Sequence, residues 1–274
     1  METLSTHRCH GGTLGYYQHH SAATNCAMRF TAFVPEKPSG IGLIYLSGLT
    51  CTEENFTVKA GAYRTANALG LTIFAPDTSP RGEDVPDDAS ISLGKGAGFY
   101  VDATQAPWST HYHMYSYIAD ELPHLLREAF TIKKFGLFGH SMGGHGALTI
   151  GQRNPQLFES ISAFAPVCHP MQDGWGPAAL AAYLGPDKTH WAPYDATELM
   201  AHSAGDLPPI LIDQGLADSA YKEGRLNPEA FRDACARVGQ TLELRLHAGY
   251  DHGYFFIQSF IDDHLRHHAA LLGA

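Results

Sequence analysis

A single serine stands between glycines in the stretch LFGHSMGGHGALTI, residues 137–150. Its pattern, Gly139-x-Ser141-x-Gly143, is that of a nucleophile held on a sharp strand-to-helix turn. FGLFG reads as a buried strand, and GGHGALTIGQR as the start of a helix. Small residues on both sides let neighbouring backbones crowd such a turn. The hydroxyl would then stand at the C-terminal edge of a sheet, and the next backbone N–H, on Met142, would open the helix beside it. A glycine-rich turn with an incidental serine would look the same over these few residues, so the rest of the chain must supply the partners.

A serine needs a base, and the base needs an orienting acid. In strand-to-helix sites of this kind the chain order is serine, acid, histidine, each partner on a loop that follows a strand. After the apolar run ILID comes QGLADSAY, so Asp213 and Asp218 are both candidates for the acid. Asp213 belongs to the strand end, whereas Asp218 lies farther out and is preferred. After TLELRLH comes AGYDHGYFF, which puts His252 before the last helix, where the base belongs. The bland alternatives are a solvated loop acid for Asp218 and a capping or packing histidine for His252. An oxyanion site needs two donors. Met142 N–H is one, and Leu49 N–H, in the loop SGLTCTEENF, is chosen as the second. Cys51 follows two residues later as a thiol near the site, read either as a small buried filler or as a thiol open to oxidation and alkylation.

Other motifs are weaker. LGKGAG, residues 93–98, lacks the Gly-x-x-x-x-Gly-Lys-Ser/Thr pattern of a phosphate loop and does not lead from a strand into a helix. Seventeen histidines form neither His-Glu-x-x-His nor a Cys/His zinc spacing, so no metal site is expected.

The elements that must position these residues can be read from hydrophobic period. Residues 13–20 and 25–34 alternate around SAATN as an antiparallel pair. IGLIYLS (41–47) and LTIFAP are apolar runs expected of strands covered on both faces. Helical spacing covers 57–69, stopped by Gly70, and resumes over 114–129 with a kink or restart at Pro123. Residues 76–98 read as a long loop and 166–205 as irregular. Strands at 135–139, 160–165, 210–213 and 241–247 alternate with helices at 143–152, 228–238 and 254–270. This is the α/β pattern of a mostly parallel sheet with helices on both faces, in a single domain spanning residues 1–274.

Composition bounds the rest. Across 274 residues, 44% are hydrophobic and 17% charged, as in ordinary globular proteins. A formal net charge of −10 argues against nucleic acid and against an anionic membrane surface. No apolar run approaches the roughly 20 residues of a membrane span. The N-terminus METLSTHRCHGG has no secretory apolar core, and the five cysteines are scattered. Both features read as cytoplasmic.

YLSGLTCTEENF, APDTSPRG, GAGFYVDAT, MYSYIADELP, FGHSMGGHGAL, SAFAPVCHP, ILIDQG and GYDHGYFF, with FIDDHLRHHA near the end, together resemble the S-formylglutathione hydrolase (esterase D) family from residue 8 to 272. The resemblance implies an α/β-hydrolase fold and a cofactor-free serine thioesterase. Such an enzyme cleaves S-formylglutathione to glutathione and formate, accepts small esters and forms homodimers. It places the triad on Ser141, Asp218 and His252, the oxyanion donors on Leu49 and Met142, and the family's site-proximal cysteine on Cys51. Departures at ASISLGKG, at SAY after the acid and at Gly253 bear on substrate preference more than on reaction type. A general short-chain carboxylesterase, an acyltransferase and an inactive binding module are the rival readings.

Glutathione is anionic, so a local basic patch is expected, with Lys59, Arg64, Arg81 and Lys95 as candidates. Trp108 and Trp175 are read first as core or lid packing and second as pocket lining.

Overall fold

The computed structural model describes residues 1–172 and 174–274. Nine strands form one sheet: β1 (Glu2–Cys9), β2 (Gly12–Ser21), β3 (Cys26–Val34), β4 (Ile41–Leu46), β5 (Leu71–Pro76), β6 (Lys134–His140), β7 (Phe158–Phe164), β8 (Ile210–Gly215) and β9 (Leu242–His247). Their order across the sheet is β1-β2-β3-β5-β4-β6-β7-β8-β9. The first three strands and the β3–β5 pair are antiparallel, and every pairing from β5 to β9 is parallel. The alternating N-terminal pair is therefore present, extended at its outer edge by β1, which sequence reading missed. ETLSTHRC is almost wholly exposed, so no apolar side marks it. It is held by backbone pairing with β2.

The helices are α1 (Glu53–Lys59), α2 (Tyr63–Leu69), α3 (Met114–Ser116), α4 (Leu122–Phe130), α5 (Met142–Arg153), α6 (Gly176–Leu184), α7 (Ala196–Ala201), α8 (Ser219–Lys222), α9 (Pro228–Val238) and α10 (Tyr254–Leu272). The helix expected over 57–69 is two helices. Gly61, at φ +70°, turns the chain between them, and Thr52 and Asn55 form a capping box that starts α1 earlier than expected. The expected helix over 114–129 is continuous, with one π-helical turn at Tyr117–Glu121 just before Pro123. Pro123 lacks an N–H, and a wider turn before it accommodates the break in the hydrogen-bond ladder. The segment read as irregular, 166–205, contains α6, whose mostly small side chains give little periodic signal, and α7, whose six residues are too few to show a period.

Alternation along the central strands sends side chains to two cores. On β4, Ile44 and Leu46 join the core that contains Met142, Ala147 and Ile150 of α5. Leu43 and Tyr45 join the opposite core, which contains Phe56, Ala66, Ile257 and Leu265 of α1, α2 and α10. Each buried aromatic or aliphatic side chain contributes roughly 1.5–3 kcal/mol relative to exposure. With both faces covered, functional groups collect at the C-terminal ends of the parallel strands. The loops after β4, β6, β8 and β9 carry Leu49, Ser141, Asp218 and His252.

Candidate active site

Ser141 sits between β6 and α5 at φ +57°, ψ −120°, a conformation that L residues rarely adopt. The surroundings impose it. Ser141 N–H donates to Phe164 O at 3.0 Å, and Ser141 O accepts from His145 N at 3.0 Å and Val167 N at 3.2 Å. Gly143 explains the flanking glycine: a Cβ there would lie 1.9 Å from Leu46 O. The turn is thus pressed onto the end of β4, which brings the following loop to the serine. A Cβ on Gly48 would stand 3.1 Å from Ser141 Cβ, so Gly48 lets the Leu49 segment approach.

Asp218 is fully buried and caps α8, with Oδ1 accepting from Ala220 N at 2.7 Å and Tyr221 N at 3.3 Å. Its Oδ2 accepts from His252 Nδ1 at 2.5 Å and from Gln214 Nε2 at 3.2 Å. Burial pushes this carboxyl up, but the His252 hydrogen bond and charge, with the Gln214 bond, outweigh it and hold Asp218 below its ordinary value. The carboxylate accepts from Nδ1, so Nε2 of His252 is left for other work. The acid and histidine loops are laced together by Leu216 N to His247 O at 2.9 Å and Ala217 N to Tyr250 O at 2.8 Å.

One cavity of about 200 Å³ gathers Gly48, Leu49, Thr50, Cys51, Ile91, His140, Ser141, Trp175, His252 and Tyr254. Residues remote in sequence, Leu49, Cys51, Ser141 and His252, therefore meet at one place, with Asp218 behind His252. Met142 opens α5 directly after the serine. Burial pushes the Cys51 thiol up, against a pull down from Lys59, so the thiol form is favoured at neutral pH.

The rival acid, Asp213, is committed elsewhere. It is fully buried, and its carboxylate accepts from Arg245 Nε at 2.6 Å, Arg245 Nη2 at 2.5 Å, His247 Nε2 at 3.0 Å and His264 Nε2 at 3.2 Å. Burial pushes it up, yet these bonds hold it well below the usual carboxylate range.

The glycine-rich 93–98 loop is a buttress. Gly94 N–H donates to the Tyr183 hydroxyl, Lys95 N–H to Asp87 Oδ1 and Gly96 N–H to Ser79 Oγ, while Gly96 O accepts from Thr50 N at 2.8 Å. Those N–H groups are occupied by the protein, which leaves no cradle for a phosphate. The family departure just before it places Ile91 at the cavity. Trp108 packs edge-on against Tyr112 and Tyr183 in the core, whereas Trp175 lines the cavity.

Sequence reading passed over His140. It is buried beside Ser141, and among the described residues neither ring nitrogen has a hydrogen-bond partner of good geometry. Its position between the motif's first glycine and the serine was the only available signal.

A nine-stranded sheet with a strained serine turn after β6, and a buried acid after β8 bound to a histidine after the adjacent β9, define the α/β-hydrolase type of esterase. The Esterase family model matches residues 21–267. The S-formylglutathione hydrolase of Mus musculus is 46% identical, covering 100% of this chain and 99% of its own. That of Rattus norvegicus is 45% identical over the same shares. A solved S-formylglutathione hydrolase from Agrobacterium tumefaciens superposes with a TM-score of 0.96 at 46% identity, covering 99% of this chain and 100% of that one. The chain belongs to the S-formylglutathione hydrolase family within the esterases. Among the described residues, no helix is long and apolar enough to cross a membrane.

Proposed function

We propose that this enzyme hydrolyses S-formylglutathione to glutathione and formate through Ser141, His252 and Asp218, with a side activity on small esters. The observation that carries the reading is the Asp218–His252 bond at the edge of the cavity that Ser141 and Leu49 share. Nε2 of His252 takes the Ser141 proton as Oγ attacks the formyl carbon. Asp218 holds the ring and stabilises its charged form. The N–H groups of Leu49 and Met142 receive the oxyanion, and losing one such donor typically reduces the rate by about 10²–10³. When the tetrahedral adduct collapses, the carbon–sulfur bond breaks and glutathione leaves with the His252 proton. A thiol of pKa about 8.5 leaves far more readily than an alkoxide. Water gives a proton to His252 as it attacks the formyl-serine ester; when this second adduct collapses the carbon–Oγ bond breaks, Ser141 Oγ takes the proton back from His252, and formate leaves. This chemistry uses only groups of the chain, the substrate and water.

The reading includes a single catalytic domain, a cytoplasmic setting, supported by five free cysteines, and a homodimer, which rests on the family resemblance alone. The test compares kcat/KM on S-formylglutathione with that on 4-nitrophenyl acetate. A preference of at least about tenfold for the thioester, or about 1.4 kcal/mol of differential transition-state binding, is expected. Equal values would make the protein a general carboxylesterase. Ser141→Ala should abolish both activities and labelling by a fluorophosphonate.

A further inference from the structure

The catalytic cavity, at about 200 Å³, is smaller than the roughly 300–1,000 Å³ of pockets that enclose drug-sized ligands. It accepts an acyl head and leaves a tripeptide outside. Tyr254, which forms part of its wall, also lines a second hollow of about 570 Å³ with Lys59, Asp251, Gly253, Phe255 and Gln258. This hollow lies between the end of α1 and the first turn of α10. Gly61 fixes those elements together, since a Cβ there would stand 3.2 Å from Gln258 Nε2.

The cations near the site differ in what holds them. Arg81 donates to both Asp77 oxygens and to Cys51 O. Arg225 lies over the Trp175 ring but is paired with Glu223 at 2.7 Å. Arg64 and Lys95 line neither hollow. Lys59 is exposed, has no carboxylate partner among the described residues, and places Nζ 5.6 Å from the centre of the Tyr254 ring. Beside it Phe255 is 84% exposed. Across the hollow Asp251 has one oxygen bound to Gly253 N–H at 2.8 Å and the other available.

We propose that this hollow holds the peptide part of the glutathionyl thioester, with Lys59 Nζ binding the glycine carboxylate and Phe255 covering the peptide backbone. The inference rests on the thioesterase reading above. One peptide unit, about 3.8 Å between α-carbons, separates the cysteinyl and glycyl residues. Tyr254 lines both the catalytic cavity and this hollow, so a chain continuing one residue beyond the cysteinyl sulfur passes from the first to the second. One lysine and one aspartate also match a peptide that carries both carboxylates and an ammonium group.

The experiment measures the ratio of kcat/KM for S-formylglutathione to that for 4-nitrophenyl acetate. Lys59→Met should lower the ratio by about three- to fivefold through KM, the scale of a partly exposed charge contact. Lys59→Glu should lower it by about tenfold or more. Lys37→Met, at the opposite end of β4, should leave it unchanged. A wild-type ratio near one would discard the thioesterase reading itself. An active wild type whose ratio is unmoved by Lys59→Glu would discard only the subsite. So would an equal loss on both substrates, or a fall produced instead by Arg225→Glu, which would direct the peptide over Trp175.

Discussion

The imidazole of His140 lies 4.4 Å from that of His252, centroid to centroid, at an interplanar angle of 48°. Burial, and then the neighbouring His252 charge, hold His140 well below its ordinary value, against the opposing pull of Asp218. A second cation packed on His252 would oppose the imidazolium that serine attack creates. Keeping His140 neutral and without good hydrogen-bond partners reserves the positive charge for the ring bound to Asp218.

His140 is one of several histidines kept neutral by burial, and stability should depend on pH accordingly. His145 and His267 are both lowered to about 4, and His264 and His268 are also lowered. The last two sit in a chain with one consistent set of protons. The Ser160 hydroxyl donates to His268 Nδ1, and His268 Nε2 to Ser162 Oγ. The Ser162 hydroxyl in turn donates to His264 Nδ1, and His264 Nε2 to Asp213. Below pH about 6.5 the unfolded chain binds protons that the folded rings refuse. Stability therefore rises with pH between about 4 and 6.5 and is complete above that window. Each such histidine contributes up to about 1.4 kcal/mol per pH unit to the slope. The urea midpoint should hold level from pH 7.5 to about 6.5 and fall from there to pH 5, and His145→Gln with His267→Gln should flatten the decline. A midpoint constant over that range would refute this.

The backbone at Ser141 should carry a stability penalty that serves its function. A non-glycine residue at φ +57°, ψ −120° is strained by about 1–3 kcal/mol. Glycine relieves the strain but loses about 0.5–1 kcal/mol in chain entropy. Ser141→Gly and Ser141→Ala both lack the proposed nucleophile, yet the glycine variant should melt a few degrees higher. Equal or lower melting of the glycine variant would show that the turn stores no more strain than the roughly 0.5–1 kcal/mol that glycine loses in chain entropy.

The two aspartates should separate by what their loss removes. Asp218→Asn should lower kcat by about 10⁴, because an amide no longer holds the required His252 tautomer, with only a small change in melting. Asp213→Asn weakens a buried pair with Arg245. It should lower stability by up to about 3 kcal/mol, less than a fully buried pair because Arg245 is partly exposed. Turnover per folded molecule should stay near wild type. The check is kcat normalised to active sites, beside a thermal melt. A catalytic loss in the Asp213 variant matching that of Asp218→Asn would reverse the assignment.

Much of this molecule could be read along the chain, because its informative signals are local. The runs IGLIYLS and LTIFAP announce strands buried on both faces, and β4 and β5 lie there. Residue type and strand-end position singled out Ser141, Asp218 and His252, since a strand's end fixes where the following loop emerges. Sequence missed β1 because an exposed edge strand is held by backbone bonds that leave no pattern in its side chains. It could choose neither among the four basic candidates nor see His140 against His252. Those outcomes depend on which charges find partners across the fold, as Arg245 does with Asp213 32 residues away. Sequence determined the kind of chemistry and the order of its groups; tertiary structure alone decided that Asp213 is paired with Arg245 and that His140 packs on His252, because those partners lie far apart in the chain.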